Sequence, residues 1–265
     1  MIRVGIGGWN FAPWRGVFYP KGLAHAEELS YASSRLTSIE INSTFYSLPK
    51  PTSIRSWAAQ TGDNFIFSVK ASMAATNKKV LAEAGPAIDR FVDCGLLELG
   101  PKLGPLFWQL APAKKFDAAD VEAFFSLLPK ERNGVKLRHA VEAKHATFAV
   151  PAFYELARKF GVAVIGVDSE KTKVPTDVTG DFVYLRLQNT VSDIPTGYSP
   201  ADIKKWAVRA EAWATGGVPK DLKPVADAAP AKKKRDVFVY FISGAKERAP
   251  AAAAALIKQI SVATM

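Results

Sequence analysis

The chain has 265 residues, 48% hydrophobic and 23% charged, a composition that excludes the disordered and collagen-like classes. Its one cysteine, Cys94, excludes an intramolecular disulfide and a cysteine-built zinc site, and no apolar run approaches the roughly 20 residues of a bilayer span. A soluble protein of the reducing cytoplasm is expected, and the net charge of +10 favours anionic partners without choosing between metabolites, nucleic acid and acidic surfaces.

In chain order, strand-like runs are "RVGIGG" (3–8), "TSIEIN" (37–42), "FIFSVK" (65–70), "LFWQLA" (106–111), "HAVEAK" (139–144), "VAVIGVD" (162–168), "FVYLRL" (182–187) and "VFVYFIS" (237–243). Helical patterns at 23–36, 81–97, 118–128, 151–161 and 200–214 lie between them. Near-continuously apolar strands alternating with amphipathic helices predict a parallel sheet covered by helices. Eight units in this length predict one TIM-like (β/α)8 barrel domain over 1–265, with a doubly wound open sheet as the runner-up. Between Asp168 and Asp181, Pro175 and Gly180 leave little room for a crossover helix, so helix six is expected to be short or missing. Residues 215–235, ending in Lys232, Lys233, Lys234 and Arg235, read as an exposed basic insertion.

Barrel enzymes take their catalytic groups from the C-terminal ends of strands. Those ends supply Trp9, Trp14 and Arg15 after strand one, Glu40 and Asn42 with Tyr46 after strand two, Ser68 and Lys70 from strand three, and Gln109 from strand four. Glu142, Lys144 and His145 follow from strand five, Asp168 from strand six and Arg186 from strand seven. The plain structural alternative is an internal network in which Lys70, Lys144 and Arg186 neutralise Glu40, Glu142 and Asp168. The first reading is an enzyme acting on a small anionic ligand, phosphorylated or sugar-like, at the barrel mouth: Glu142 or Asp168 would be the general base, Lys70 the acid or electrostatic stabiliser, and Arg186 with Lys144 the anion anchor, while Glu40 and Asn42 orient. The aromatic loop would either form a stacking wall for a ligand or plug the barrel mouth structurally.

No cofactor is expected. A divalent metal on Glu40, Glu142, His145 and Asp168 defines a second reading, a metal-dependent hydrolase or isomerase, although no short ligand motif supports it. A third is a non-catalytic nucleic-acid or anion-binding protein using the basic insertion and the aromatic loop. The glycines of "GIGGWN" lack the dinucleotide-binding spacing, and no Walker sequence occurs. Nothing in the sequence sets the oligomeric state.

The stretches "GGWNFAPWRGVFYPKGL", "SIEINSTFYSLP", "FSVKAS", "LGPKLGPLFWQLAP" and "FVYLRL", in this order, resemble the YecE-like family, domain of unknown function 72. The resemblance implies a TIM-like barrel with an active site at its mouth and no established reaction. It carries the family's polar positions onto Trp9, Trp14, Arg15, Glu40, Asn42, Thr44, Tyr46, Lys70, Gln109, Glu142, His145, Asp168 and Arg186. The chain departs where the family usually has Glu-Phe-Arg-His, here Glu142, Ala143, Lys144 and His145, and where Arg-Leu-His-Gly becomes Arg186, Leu187, Gln188 and Asn189. The first change replaces a bidentate fork by a point charge, and the second removes an imidazole.

Overall fold

The computed structural model describes residues 1–172, 174–226 and 232–263. Eight parallel staves form the barrel: β1 (Ile2–Gly7), β2 (Ser38–Ile41), β3 (Ile66–Lys70), β4 (Leu103–Gln109), β5 (His139–Glu142), β6, β7 (Phe182–Leu187) and β8 (Asp236–Phe241). The stave β6 has two halves, Ala163–Val164 laddered to β5 and Gly166–Asp168 laddered to β7, so the ring closes through the chain itself at Ile165. On the other side β1 pairs with both β2 and β8. A two-strand antiparallel ribbon, Glu131–Arg132 with Val135–Lys136, precedes β5.

The outer helices are α1 (Glu28–Arg35), α2 (Pro51–Ala59), α3 (Gly85–Val92), α4 (Ala118–Leu127), α5 (Pro151–Phe160), α6 (Pro200–Ala214) and α7 (Ala249–Ala263). Proline stands in the first turn of α2, α3, α5 and α6, where its missing N–H costs nothing, and Ser199 caps α6 by accepting the Asp202 amide. Gly161, left-handed at φ 69°, ends α5.

Among the described residues no helix follows β6, and the gap is filled from elsewhere. The insertion after α6 folds back as a strap: the Thr176 amide donates to the Lys223 carbonyl, and the buried Asp177 carboxylate accepts the amides of Val225 (2.7 Å) and Ala226 (2.9 Å). The insertion is therefore only partly the exposed loop expected. Lys220, Lys223 and Lys232 to Lys234 are exposed, whereas Pro219, Ala226 and Arg235 are buried, and the Arg235 guanidinium donates to the carbonyls of Trp213 and Gly217. Residues 227–231 lie outside the described residues.

Two apolar cores result. Val, Leu and Ile from the outward strand faces meet the helices, while Phe107, Ala140, Ile165, Phe182, Tyr184, Phe238 and Tyr240 fill the barrel. At its N-terminal end Arg138 lies over Phe182 and Phe238 and donates to Asp236 at 2.8 Å. In the middle Tyr240 is 2.6 Å from Ser38, whose hydroxyl donates to the Ile66 carbonyl, and Tyr184 is 2.8 Å from Ser68. This layer needs Gly5, because a Cβ there would sit 1.9 Å from the Ser38 carbonyl oxygen. Gly5→Ala is expected to cost about 1–3 kcal/mol by overpacking, read from urea unfolding midpoints at constant slope.

Candidate functional site at the barrel mouth

The two-residue period of a strand decides what reaches the mouth. Glu40 is in register with Gly7, Gln109 with Glu142, and Arg186 with Tyr240, so their side chains share the inward face. Arg186 joins both acids: Nη1 donates to Glu142 Oε2 at 2.6 Å, while Nη2 and Nε donate to the two Glu40 oxygens at 3.0 and 3.1 Å. The Tyr184 hydroxyl donates to Glu40 at 2.7 Å, and Gln109 Nε2 donates to Glu142 Oε1 at 2.8 Å. The Arg186 guanidinium also lies 4.7 Å from the centre of the Phe107 ring. All three charges are buried, and a bidentate, hydrogen-bonded arrangement offsets the cost of taking them from water.

Burial disfavours the ionised form of Glu142, yet Arg186, Lys144 and Gln109 outweigh it and hold this carboxyl below its ordinary range. Burial also opposes the Arg186 charge, and Glu142 with Glu40 raises its pKa instead. So well paired, Glu142 is a weaker proton acceptor than a free carboxylate, which counts against the general-base role expected of it. Arg186 likewise directs three of its five N–H groups at the two glutamates, which leaves less of the guanidinium for the anion expected there.

Lys70 is different. Its ammonium donates to Gln109 Oε1 at 2.8 Å, sits 4.1 Å from the centre of the Phe45 ring and has no carboxylate partner among the described residues. Burial, then Arg186, lowers its pKa to about 8. Lys144, more exposed, reaches to 3.8 Å from Glu142 on the same side. Asn42 donates to the Glu40 carbonyl at 3.3 Å and, with Trp9, lines a small cavity at the ends of β1 and β2. Trp9 also packs edge-on to Trp57.

Five expected site residues lie elsewhere. Asp168 is in register with Leu187, while Val167 is in register with Arg186, so Asp168 points outward. It lines a cleft of about 480 Å³ against α6, where burial raises its pKa despite hydrogen bonds from Asn189 and Tyr198. Trp14 is fully buried and donates to the Lys246 carbonyl, so it packs the loop rather than stacking on a ligand. Arg15 donates to Glu28 of α1 at 2.7 Å. Tyr46 is 79% exposed, leaning edge-on against Phe45. His145 caps the turn Ala146–Phe148 by accepting from Thr147. Glu40, Glu142, His145 and Asp168 thus do not gather around one point, and among the described residues no three Asp, Glu, His or Cys side chains do.

Sequence reasoning missed Tyr184 and Phe45, and also Lys246, which follows the last strand. Only the alternation of "FVYLRL", placing Tyr184 on the face of Arg186, signalled the first.

Comparison with known proteins agrees with this architecture. Over 143 residues the chain is 31% identical to the UPF0759 protein YecE of Escherichia coli K12, a match spanning 52% of this chain and 49% of that protein. A crystal structure of a DUF72 family protein from Thermotoga maritima superposes with a TM-score of 0.73 at 20% identity, covering 99% of both chains. A xylose isomerase-like TIM barrel/4-hydroxyphenylpyruvate dioxygenase fusion protein gives 0.57 at 15% identity over 99% of this chain and 44% of that one, a likeness of fold alone. The model of the protein of unknown function DUF72 matches residues 3–264, and with the inward strand faces and the barrel that carries them, this places the chain in the DUF72 family.

Proposed function

We propose that the protein binds a small anionic ligand, phosphorylated or sugar-like, at the C-terminal mouth of the barrel, and that Lys70 is the acid–base group acting on it. The observation that carries this reading is that the two buried carboxylates are taken up by Arg186, leaving Lys70 a half-buried ammonium with no carboxylate in salt-bridge contact among the described residues. With Glu40, Glu142, Arg186 and Lys70 ionised the inner mouth is neutral, and Lys144 makes it cationic. A pKa of about 8 leaves Lys70 mostly protonated at neutral pH, suited to donating a proton or stabilising negative charge, and near enough to exchange it.

The expected result is a rise in melting temperature of the wild type with orthophosphate or sugar phosphates that is clearly reduced in Lys70→Met. Because the protonated amine is the binding form, affinity should fall as pH rises through about 8. Equal rises in wild type and Lys70→Met, or a pH-independent affinity, would overturn the reading.

A further inference from the structure

Lys246 opens the short helical turn Lys246–Arg248 that follows β8, and it is half-buried. Its ammonium is 4.5 Å from the centre of the Phe11 ring and 5.6 Å from that of Trp14. Ring faces attract a cation but do not satisfy three N–H donors as oxygen acceptors would. Among the described residues no carboxylate pairs with it, and its neighbour Glu247 is engaged by Ser192. Burial lowers its pKa, with no opposing charge to raise it.

Lys246 lines a cavity of about 160 Å³ together with Gly7 to Phe11 and Ile41 to Ser43, and Phe11, the ring nearest its ammonium, belongs to the same lining. Gly8 is left-handed there, at φ 71°, and nothing lies within 4 Å of where its Cβ would be, so a ligand can approach bare backbone. The Asn42 amide edges the same space. The turn Ser43–Phe45 separates this cavity from Lys70: Ser43 lines one side of it, and Phe45 lies under the Lys70 ammonium on the other.

We infer that Lys246, with Asn42 and the Gly7–Phe11 loop, forms a second anion subsite beside Lys70, so that the ligand carries two anionic groups spanning the Ser43–Phe45 turn. The inference rests on the reading of the mouth as an anion site and narrows its ligand to the class of sugar bisphosphates and phosphorylated acids. Lys246→Met keeps the stem that packs on Phe11 and removes only the charge.

The test is a titration of isotope-labelled protein with orthophosphate and with a hexose 1,6-bisphosphate, following backbone amides in wild type, Lys70→Met and Lys246→Met. Orthophosphate is expected to shift the amides of Gly8, Trp9, Asn10 and Asn42 in wild type and Lys70→Met but not in Lys246→Met. Each single substitution should weaken the bisphosphate roughly tenfold or more, as loss of a charge-assisted contact does. Unchanged shifts or unchanged bisphosphate affinity in Lys246→Met would overturn the second subsite. If Lys70→Met still weakened binding in that case, the mouth reading would stand without it. Absence of any shift in the wild type would overturn both.

Discussion

Replacing Arg186 by methionine is expected to lower the unfolding free energy by about 3–5 kcal/mol, the cost of leaving buried charge without its partner. The guanidinium makes three hydrogen bonds to Glu40 and Glu142, and among the described residues no other cation is hydrogen-bonded to both. The pH dependence supplies a sign. In the wild type the Glu142 carboxyl titrates below its ordinary value, so its contribution is present above about pH 4–5 and is lost as pH falls through the lower folded value. In Arg186→Met burial is no longer outweighed in this way, and the same carboxyl should titrate above its ordinary value. The variant then gains relative stability on acidification, and the gap to wild type should narrow below about pH 5. Urea unfolding of both proteins from pH 4 to 8 measures this, and a gap independent of pH would mean that the triad contributes by packing alone.

The second large effect is expected at Asp177. Its carboxylate takes two consecutive backbone amides of the strap and faces Arg158 of α5 at 3.9 Å. Hydrogen bonds to a charged acceptor contribute about 1.5–3 kcal/mol each, so Asp177→Ala should cost about 3 kcal/mol or more. Hydrogen exchange localises the loss: the amides of Val225 and Ala226 should lose protection, while β2 and β3 change only with global stability. Asp177→Asn keeps one acceptor oxygen and is expected to fall between the two. Unchanged protection at Val225 and Ala226 in Asp177→Ala would show that apolar contacts, not the carboxylate, hold the strap.

The barrel was legible because β and α periods alternate cleanly and because Pro175 and Gly180 mark the missing helix. The helices α2 and α7 are absent from the reading of the helical patterns, and α7 begins with a run of alanines that gives an amphipathic stripe little contrast. Of the site, Glu40, Lys70, Gln109, Glu142 and Arg186 were found because each ends a strand in the inward phase. Asp168 went astray for a physical reason: "VAVIGVD" is apolar on both faces, so no alternation sets its phase, and its ladder changes partner at Ile165. The structural alternative held for Arg186 and both glutamates but not for Lys70, whose partner is an amide. Trp14 and Arg15 lie in a loop, where spacing says nothing about direction, and Lys246 lies beyond the final strand, where no pattern drew attention to it.

The strap also imposes an order on assembly. A chain emerging from the ribosome delivers β6 and β7 first, then α6, and only afterwards the residues that cover the outer side of the β6–β7 crossover. Val174 and Val178, buried in the finished protein, belong to the crossover that waits for this cover while a fifteen-residue helix is still being made. The price of omitting a local crossover helix is thus temporal: this wall is sealed late, from downstream.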